Sequence, residues 1–386
     1  MSDVLISIAF MAAGLVGKKA SGPAQVTRKI IENLTVNYSR NFEITLIINH
    51  DGDKELIEND DVLKKCKILK LPEVKGSRFK SSRQFYKFIL KNKEVYFDFI
   101  HFAVPRVYPF FWKFPAKKFI CVFHGGGDVI IHGDKFVLST YIYNLVMKRS
   151  WKYLDVIIAD SFIGKKEIIE NYKIPGKKIQ IIHLGSDHLW QFATNISSEL
   201  VTAHHHILIM GRWQKYKNVH SIIHAIKNSN DSRIKNSFVT VIGKSNYKKH
   251  NLVAPIILDF PKNRIKFLDY MPDANLKQLY GSVDVVVHPS INEGFGLPAF
   301  EAFSEGAKII VHSGTPASNY LSSFSGVFSG DLLNSQVINE LLVASLGDIV
   351  IEIEARKNFL VNNQMTWKAM VDNYVKIYSS TKDILV

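Results

Sequence analysis

Runs of β-branched and large apolar residues recur along the chain. Each leads into a glycine-bearing or polar stretch, and apolar residues at helical spacing then follow. Val4–Phe10 predicts a strand buried on both faces, and 11–22 a loop carrying Gly14, Gly17 and Gly22. Ala24–Asn37 predicts a helix with Val26, Ile30, Ile31 and Leu34 on one face, and Pro23 suits its first turn. Glu43–Asn49 predicts the next strand, so the chain opens as a βαβ unit and a parallel sheet is expected. Phe97–Phe102, Phe119–His124, Val156–Ala159 and Ile179–Ile182 continue it, with a helix beginning at Lys165–Asn171.

His188–His204 is irregular and polar, which marks a linker. The alternation restarts with strands at Ile207–Met210, Phe238–Ile242, Ile265–Phe267, Val283–Val287 and Lys308–Val311. Near the end, Met370, Val371, Tyr374 and Ile377 form a helical stripe that must be buried on something. At 386 residues the chain exceeds what one core usually serves. The expected fold class is α/β: a domain over 1–190, a second over 204–364, and a helix in 365–386 crossing back to the first. The halves share their element order but show no sequence repeat.

Composition narrows the class. Apolar residues make up 47% and charged residues 22%, as in globular proteins. Cys66 and Cys121 give neither a disulfide framework nor a metal-spaced pair, and they fit a reducing compartment. No segment reaches the ~18 apolar residues of a membrane span. Leu5–Gly17 comes nearest, but Asp3 precedes it where a signal peptide has basic residues. The net charge of +14 is concentrated: Lys64–Lys93 holds eleven basic residues against the single acid Glu73. Within it, Ser81–Lys91 reads as a short basic amphipathic helix. Such a stretch attracts an anionic surface, or is a solvated face. Tyr108–Pro115 is densely aromatic and suits either the core or an interface.

The most informative stretch is 288–302. The apolar run Val285-Val286-Val287 enters a turn holding Glu293, Gly294 and Gly296, and a helical segment with Glu301 follows. A strand feeding a glycine turn into a helix presents free N–H groups and a positive dipole end to an anion. Carboxylates beside it accept from hydroxyls. A phosphate-bearing polyol such as a nucleotide sugar would satisfy both, and an ordinary turn with two solvated glutamates is the alternative. Arg212 and Lys217 also follow a strand, where a guanidinium fork and a point charge suit a diphosphate. His124, directly after a strand, sits at the end of the sheet where α/β ligands bind. His204-His205-His206 is not a metal site, because neighbouring strand residues face opposite ways.

Gly211-Arg212-(x4)-Lys217-Asn218, His288-Pro289-Ser290 and Glu293-Gly294-Phe295-Gly296-Leu297-Pro298-(x2)-Glu301-Ala302 together resemble the retaining glycosyltransferases of family 4. His124-Gly125, Asp160-Ser161 and Leu184-Gly185-Ser186-Asp187 extend the resemblance to the first half. It implies the GT-B fold, two Rossmann-like domains whose parallel sheets face each other across a cleft. It assigns Arg212 and Lys217 to the donor diphosphate and Glu293 to the hydroxyls of the transferred sugar. Backbone N–H groups of Gly294, Phe295, Gly296 and Leu297 would meet phosphate and sugar, and Glu301 the ribose. Gly211 and Gly243 would complete the donor site. His124 would face the sugar, and the Gly14, Gly17 and Gly22 loop would serve diphosphate and acceptor. The donor would be a GDP- or UDP-hexose, with no cofactor and no metal. The acceptor would be a glycan or lipid-linked glycan of surface polysaccharide synthesis, mannosyl transfer being favoured by the glycine turn. A cytoplasmic location is expected, docked on the inner membrane face through Lys64–Lys93 and Tyr108–Pro115. The chain departs from the family at Lys18-Lys19, at Phe303-Ser304-Glu305-Gly306-Ala307-Lys308 and at Ser318-Asn319-Tyr320.

A non-catalytic GT-B subunit supporting a partner enzyme is the competing expectation. Nucleic-acid binding is not expected: charge alone suggests it, and no reader fold or base-stacking aromatic spacing accompanies it.

Overall fold

The computed structural model describes residues 5–11, 22–48, 57–70, 87, 95–105, 107, 110–125, 138–193, 204–243, 256–257, 260–269 and 271–380. The chain divides into two compact units. Among the described residues, one takes the chain up to Ile182 together with Lys368–Ser380, and the other takes His183–Trp367.

The first unit's strands are β1 (Ile6–Met11), β2 (Phe42–Ile48), β3 (Lys67–Lys70), β4 (Phe97–Phe102), β5 (Ala116–Phe123), β6 (Val156–Ala159) and β7 (Ile179–Ile181). Among the described residues they form one sheet of order 3-2-1-4-5-6-7, parallel at every pairing. Helices α1 (Gly22–Asn37), α2 (Leu138–Ser150) and α3 (Phe162–Tyr172) lie between strands, and the Ser161 hydroxyl caps α3 by accepting from Gly164 N. Ile100, Phe123, Ile157 and Ile179 belong to the core beneath.

The second unit has β8 (His206–Met210), β9 (Phe238–Ile242), β10 (Ile265–Leu268), β11 (Val285–His288), β12 (Ile309–His312) and β13 (Val327–Gly330). Their order among the described residues is 10-9-8-11-12-13, again all parallel. This is the dinucleotide-fold order, which reverses between β8 and β11; ligands of such sheets bind outside the carboxyl ends of the strands flanking that point. The unit's helices include α4 (Val219–Lys227), α5 (Asp273–Ser282), α6 (Leu297–Ser304), α7 (Pro316–Leu321), α8 (Ser335–Ser345) and α9 (Ile353–Asn362); α10 (Trp367–Ser379) starts at its last residue and otherwise belongs to the first unit.

The terminal stripe finds its cover in the first unit. Tyr378 on α10 meets Phe42 and Phe99 edge-on and hydrogen-bonds the buried His101 ring at 2.7 Å. The hydrophobic pattern does not predict β3 or β13, and both are sheet edges. Lys67 and Lys70 at the ends of β3 are exposed, and charge on an edge strand blocks pairing with another chain while erasing the apolar signature. The aromatic segment is divided. Phe111 and Phe114 are buried, whereas Phe110, in the left-handed region at φ 60°, is 56% exposed. Trp112 stacks on Tyr153 at 4.2 Å. Of Ser81–Lys91, all but Lys87 lies outside the described residues. The histidine triplet splits as alternation requires: His205 pairs with Asp284, and His206 bonds Thr240.

Candidate active site

The site of the second unit is assembled where the strand order reverses. Past the end of β8, Gly211 N donates to Ile242 O at 3.0 Å, and Gly243 N donates to Leu268 O at 2.9 Å. A Cβ on Gly243 would overlap the Gly211 carbonyl oxygen. Both glycines thus have a packing reason to be glycine, which brings the strand ends together beneath the loop that follows. That loop makes a tight 3₁₀ turn at Lys215–Lys217 and stops at Asn218, a left-handed residue at φ 52°. Asn218 is fully buried; its amide donates to Leu332 O at 2.7 Å and its oxygen accepts from Ser221 Oγ at 2.6 Å.

The loop after β11 is tied to it: Ile291 N donates to Tyr216 O at 2.9 Å. This bond places Lys217 against Glu293, whose Oε1 accepts from Lys217 Nζ in an ion pair. His288 Nε2, on the last residue of β11, is 3.5 Å from the same oxygen. All three side chains are largely buried. Burial alone would push the Glu293 carboxyl up, but the Lys217 ammonium and the His288 ring hold it below the usual range. Burial likewise opposes the Lys217 charge, and Glu293 overrides it, raising the ammonium. Burial depresses His288 to about 4. At neutral pH the cluster is therefore one cation, one anion and a neutral imidazole. Arg212 is exposed, and its charge bears on Lys217.

Gly296 caps α6 at φ +89°, a conformation only glycine adopts without strain, and Pro298 lies in the first turn. Gly294, Phe295 and Gly296 are buried, and the Phe295 ring stacks on Phe300 at 4.2 Å. The other end of α6 is fixed by the buried Arg356, which donates to Phe303 O at 3.1 Å, Ala307 O at 2.8 Å and Ser325 O at 2.5 Å. Burial brings this guanidinium down to about 10.

Glu301 is not a solvated residue. Its Oε2 accepts from Tyr280 Oη at 3.2 Å, and His188 Nε2 stands 3.5 Å from Oε1. Burial raises its carboxyl, with His188 and Tyr280 opposing. Glu305, within one of the departures, has a partner: Lys277 Nζ lies 3.2 Å from Glu305 Oε2 and 3.2 Å from Leu189 O, with both side chains nearly inaccessible.

In the first unit His124 follows β5 and Asp160 follows the adjacent β6. Nδ1 donates to Asp160 Oδ2 at 2.9 Å, which sets the ring's orientation and leaves Nε2 the accepting nitrogen in the neutral form. Gly22 opens α1, with open space where a Cβ would stand. Gly14 and Gly17 lie outside the described residues. The sequence named Asp160 and His288 without giving either a role, although both end strands on the ligand side. For Tyr280 and His188 it carries no signal.

Solved structures identify the architecture. Sucrose-phosphate synthase from Thermosynechococcus elongatus matches with a TM-score of 0.76 at 16% identity, over 98% of this chain and 100% of that one. Anabaena HepE in complex with UDP and glucose matches at 0.64 and 16%, over 98% and 99%. The fold is GT-B. The model for Glycosyltransferase Family 4 matches residues 21–188, and that for Glycosyl transferases group 1 matches residues 196–342. The chain belongs to family 4 of the GT-B glycosyltransferases. The O-antigen chain mannosyltransferase RfbU of Salmonella typhimurium is 27% identical over 212 residues, 52% of this chain and 57% of RfbU, so the chain spans little more than half the length of that relative.

Proposed function

We propose that the protein transfers a hexose, with retention, from a nucleotide diphosphate sugar to a lipid-linked saccharide in surface polysaccharide synthesis, and that it needs no metal. The observation that carries this reading is the buried Lys217–Glu293 pair at the reversal point of the second sheet, one turn of chain before the glycine-capped start of α6. In the reaction the anomeric carbon–oxygen bond to the diphosphate breaks and its electrons pass to the leaving group. The acceptor oxygen takes its place, and the acceptor proton leaves to phosphate or solvent. Lys217, Arg212 and the N–H groups opening α6 meet the growing charge without reorganising. Glu293, already ionised, holds sugar hydroxyls, and Glu301 holds the ribose. His124, oriented by Asp160, suits a sugar hydroxyl. The named activity of RfbU supports a mannosyl donor, and the UDP in the HepE complex supports a nucleotide donor.

Thermal shift with UDP, GDP and ADP tests the donor. A ligand at a hundred times its Kd adds about 2.7 kcal/mol, so the true diphosphate should raise Tm by several degrees. Glu293→Gln should keep that shift and lose transfer. No shift with any of the three and no donor hydrolysis would favour the non-catalytic subunit instead.

We further propose docking on an anionic membrane. Besides the basic run, the exposed Phe110 with Lys113 5.8 Å from its ring, and Tyr153 with Lys152 5.2 Å from its ring, support it. No helix among the described residues is long and apolar enough to cross a bilayer. Phe110→Ser should weaken co-sedimentation with anionic vesicles severalfold. Equal, salt-insensitive binding to neutral vesicles would reject the proposal.

A further inference from the structure

Near Trp367, where the second unit ends, its first and last residues run side by side. Ser186 N and Oγ donate to Met365 O at 3.0 and 3.2 Å, and Trp367 N donates to Asp187 Oδ1 at 2.7 Å. A Cβ on Gly185 would overlap the Trp367 backbone, so this pairing needs glycine there. It brings the Trp367 indole to His188: Nε1 lies 3.4 Å from His188 Nδ1. An indole N–H only donates, so Nδ1 must accept and the imidazole proton is on Nε2. Nε2 faces Glu301 Oε1 at 3.5 Å, and Tyr280 Oη donates to the other carboxylate oxygen. The side chains of His188 and Glu301 are largely buried, and Tyr280 is 1% exposed.

We infer that His188 is a positioning residue for the donor's ribose: with its tautomer set by Trp367, it holds the Glu301 carboxylate in the orientation that accepts from the ribose hydroxyls. This rests on the assignment of Glu301 to the ribose made above. A carboxylate offers about four lone-pair sites. Tyr280 uses one on Oε2 and His188 faces Oε1 at 3.5 Å, which leaves room on each oxygen for a vicinal diol. Together His188 and Tyr280 fix the orientation of the carboxylate. Removing His188 frees the carboxylate to turn and removes one of the two groups that oppose the effect of burial on its protonation. In either case the ribose loses its acceptor, while base and diphosphate contacts are untouched.

The test compares Kd values of UDP and GDP with those of their 2′- and 3′-deoxy analogues. Hydrogen bonds to a charged group set the scale, so the wild type should prefer the better ribonucleotide over a deoxy analogue about tenfold or more. Glu301→Ala should reduce that ratio to about one. His188→Phe should reduce it most of the way by weakening the ribonucleotide only, and should raise the donor KM far more than it lowers kcat. His188→Gln, whose amide can still donate, should restore part of it, and Trp367→Phe should give a smaller loss of the same sign even if His188→Phe fails to fold. If Glu301→Ala leaves the ratio unchanged, or neither nucleotide binds, the ribose assignment falls and this inference with it. If Glu301→Ala removes the preference while His188→Phe and Trp367→Phe both retain it, only the role of His188 is overturned.

Discussion

Lys217→Ala is expected to lower transfer by a factor of about 10²–10³, the range seen when one charge-stabilising donor is removed from a transition state. The pair with Glu293 is why the effect should be that large. Lys217 is buried, its ammonium is held charged by a carboxylate, and its loop is pinned by Asn218 and by the Tyr216–Ile291 backbone bond. A cation fixed this way need not reorganise as the leaving group charges. Its loss also deprives Glu293 of the partner that outweighs burial, so the carboxyl drifts up and becomes a poorer acceptor for sugar hydroxyls. Arg212→Ala removes a second positive charge from the same loop and should act on the same step. Because Lys217 and Glu293 work as a unit, the double variant Lys217→Ala, Glu293→Gln should be little worse than the worse single one. Single-turnover transfer, with the nucleotide-induced Tm shift as a folding and binding control, reads this out. Transfer and donor hydrolysis at wild-type rates in both single variants would remove the site assignment altogether.

Much of this site can be read in the chain because its elements obey local rules. A strand of Val285, Val286 and Val287 followed by two glycines and a proline near a helix start can form little else. Arg212 and Lys217 were placed on the ligand side simply by following β8. Most strands, the edges β7 and β10 included, announce themselves through apolar runs, and the edges β3 and β13 do not, since they carry Lys67, Lys70 and Ser329. What stays hidden is pairing across the fold. Asp160 reaches His124 only because β5 and β6 are neighbours, and the sheet order is not written in either segment. Glu301 could be placed on its helix, but Tyr280 on α5 and His188 beyond the first unit come to it through tertiary packing. Its solvated alternative is excluded by those two partners. The same holds for Glu305, which looks out of place in the sequence until Lys277 is found opposite.

That opposed pair carries the second large expectation. Lys277→Met should destabilise the second unit by about 3–5 kcal/mol, the cost of leaving one member of a buried ion pair uncompensated. Both side chains are nearly inaccessible, so neither water nor salt screens the remaining charge. Lys277 also serves the Leu189 carbonyl, which would lose its donor. Glu305 Oε1 has no hydrogen-bond partner among the described residues, so once Lys277 is gone nothing there compensates the carboxylate. At roughly 2–4 °C per kcal/mol for a unit of this size, Tm should fall by about 6–20 °C. Lys277→Met with Glu305→Leu should recover most of the loss, because replacing both ions by apolar groups of similar volume is often neutral or better. The pair joins α5, the end of α6 and the turn that carries His188. The single variant should therefore also weaken nucleotide binding at temperatures where it remains folded, and the double variant should restore it. Calorimetric unfolding with and without nucleotide separates these effects. A single variant as stable as wild type would mean that Glu305 finds another partner or a proton when Lys277 is removed.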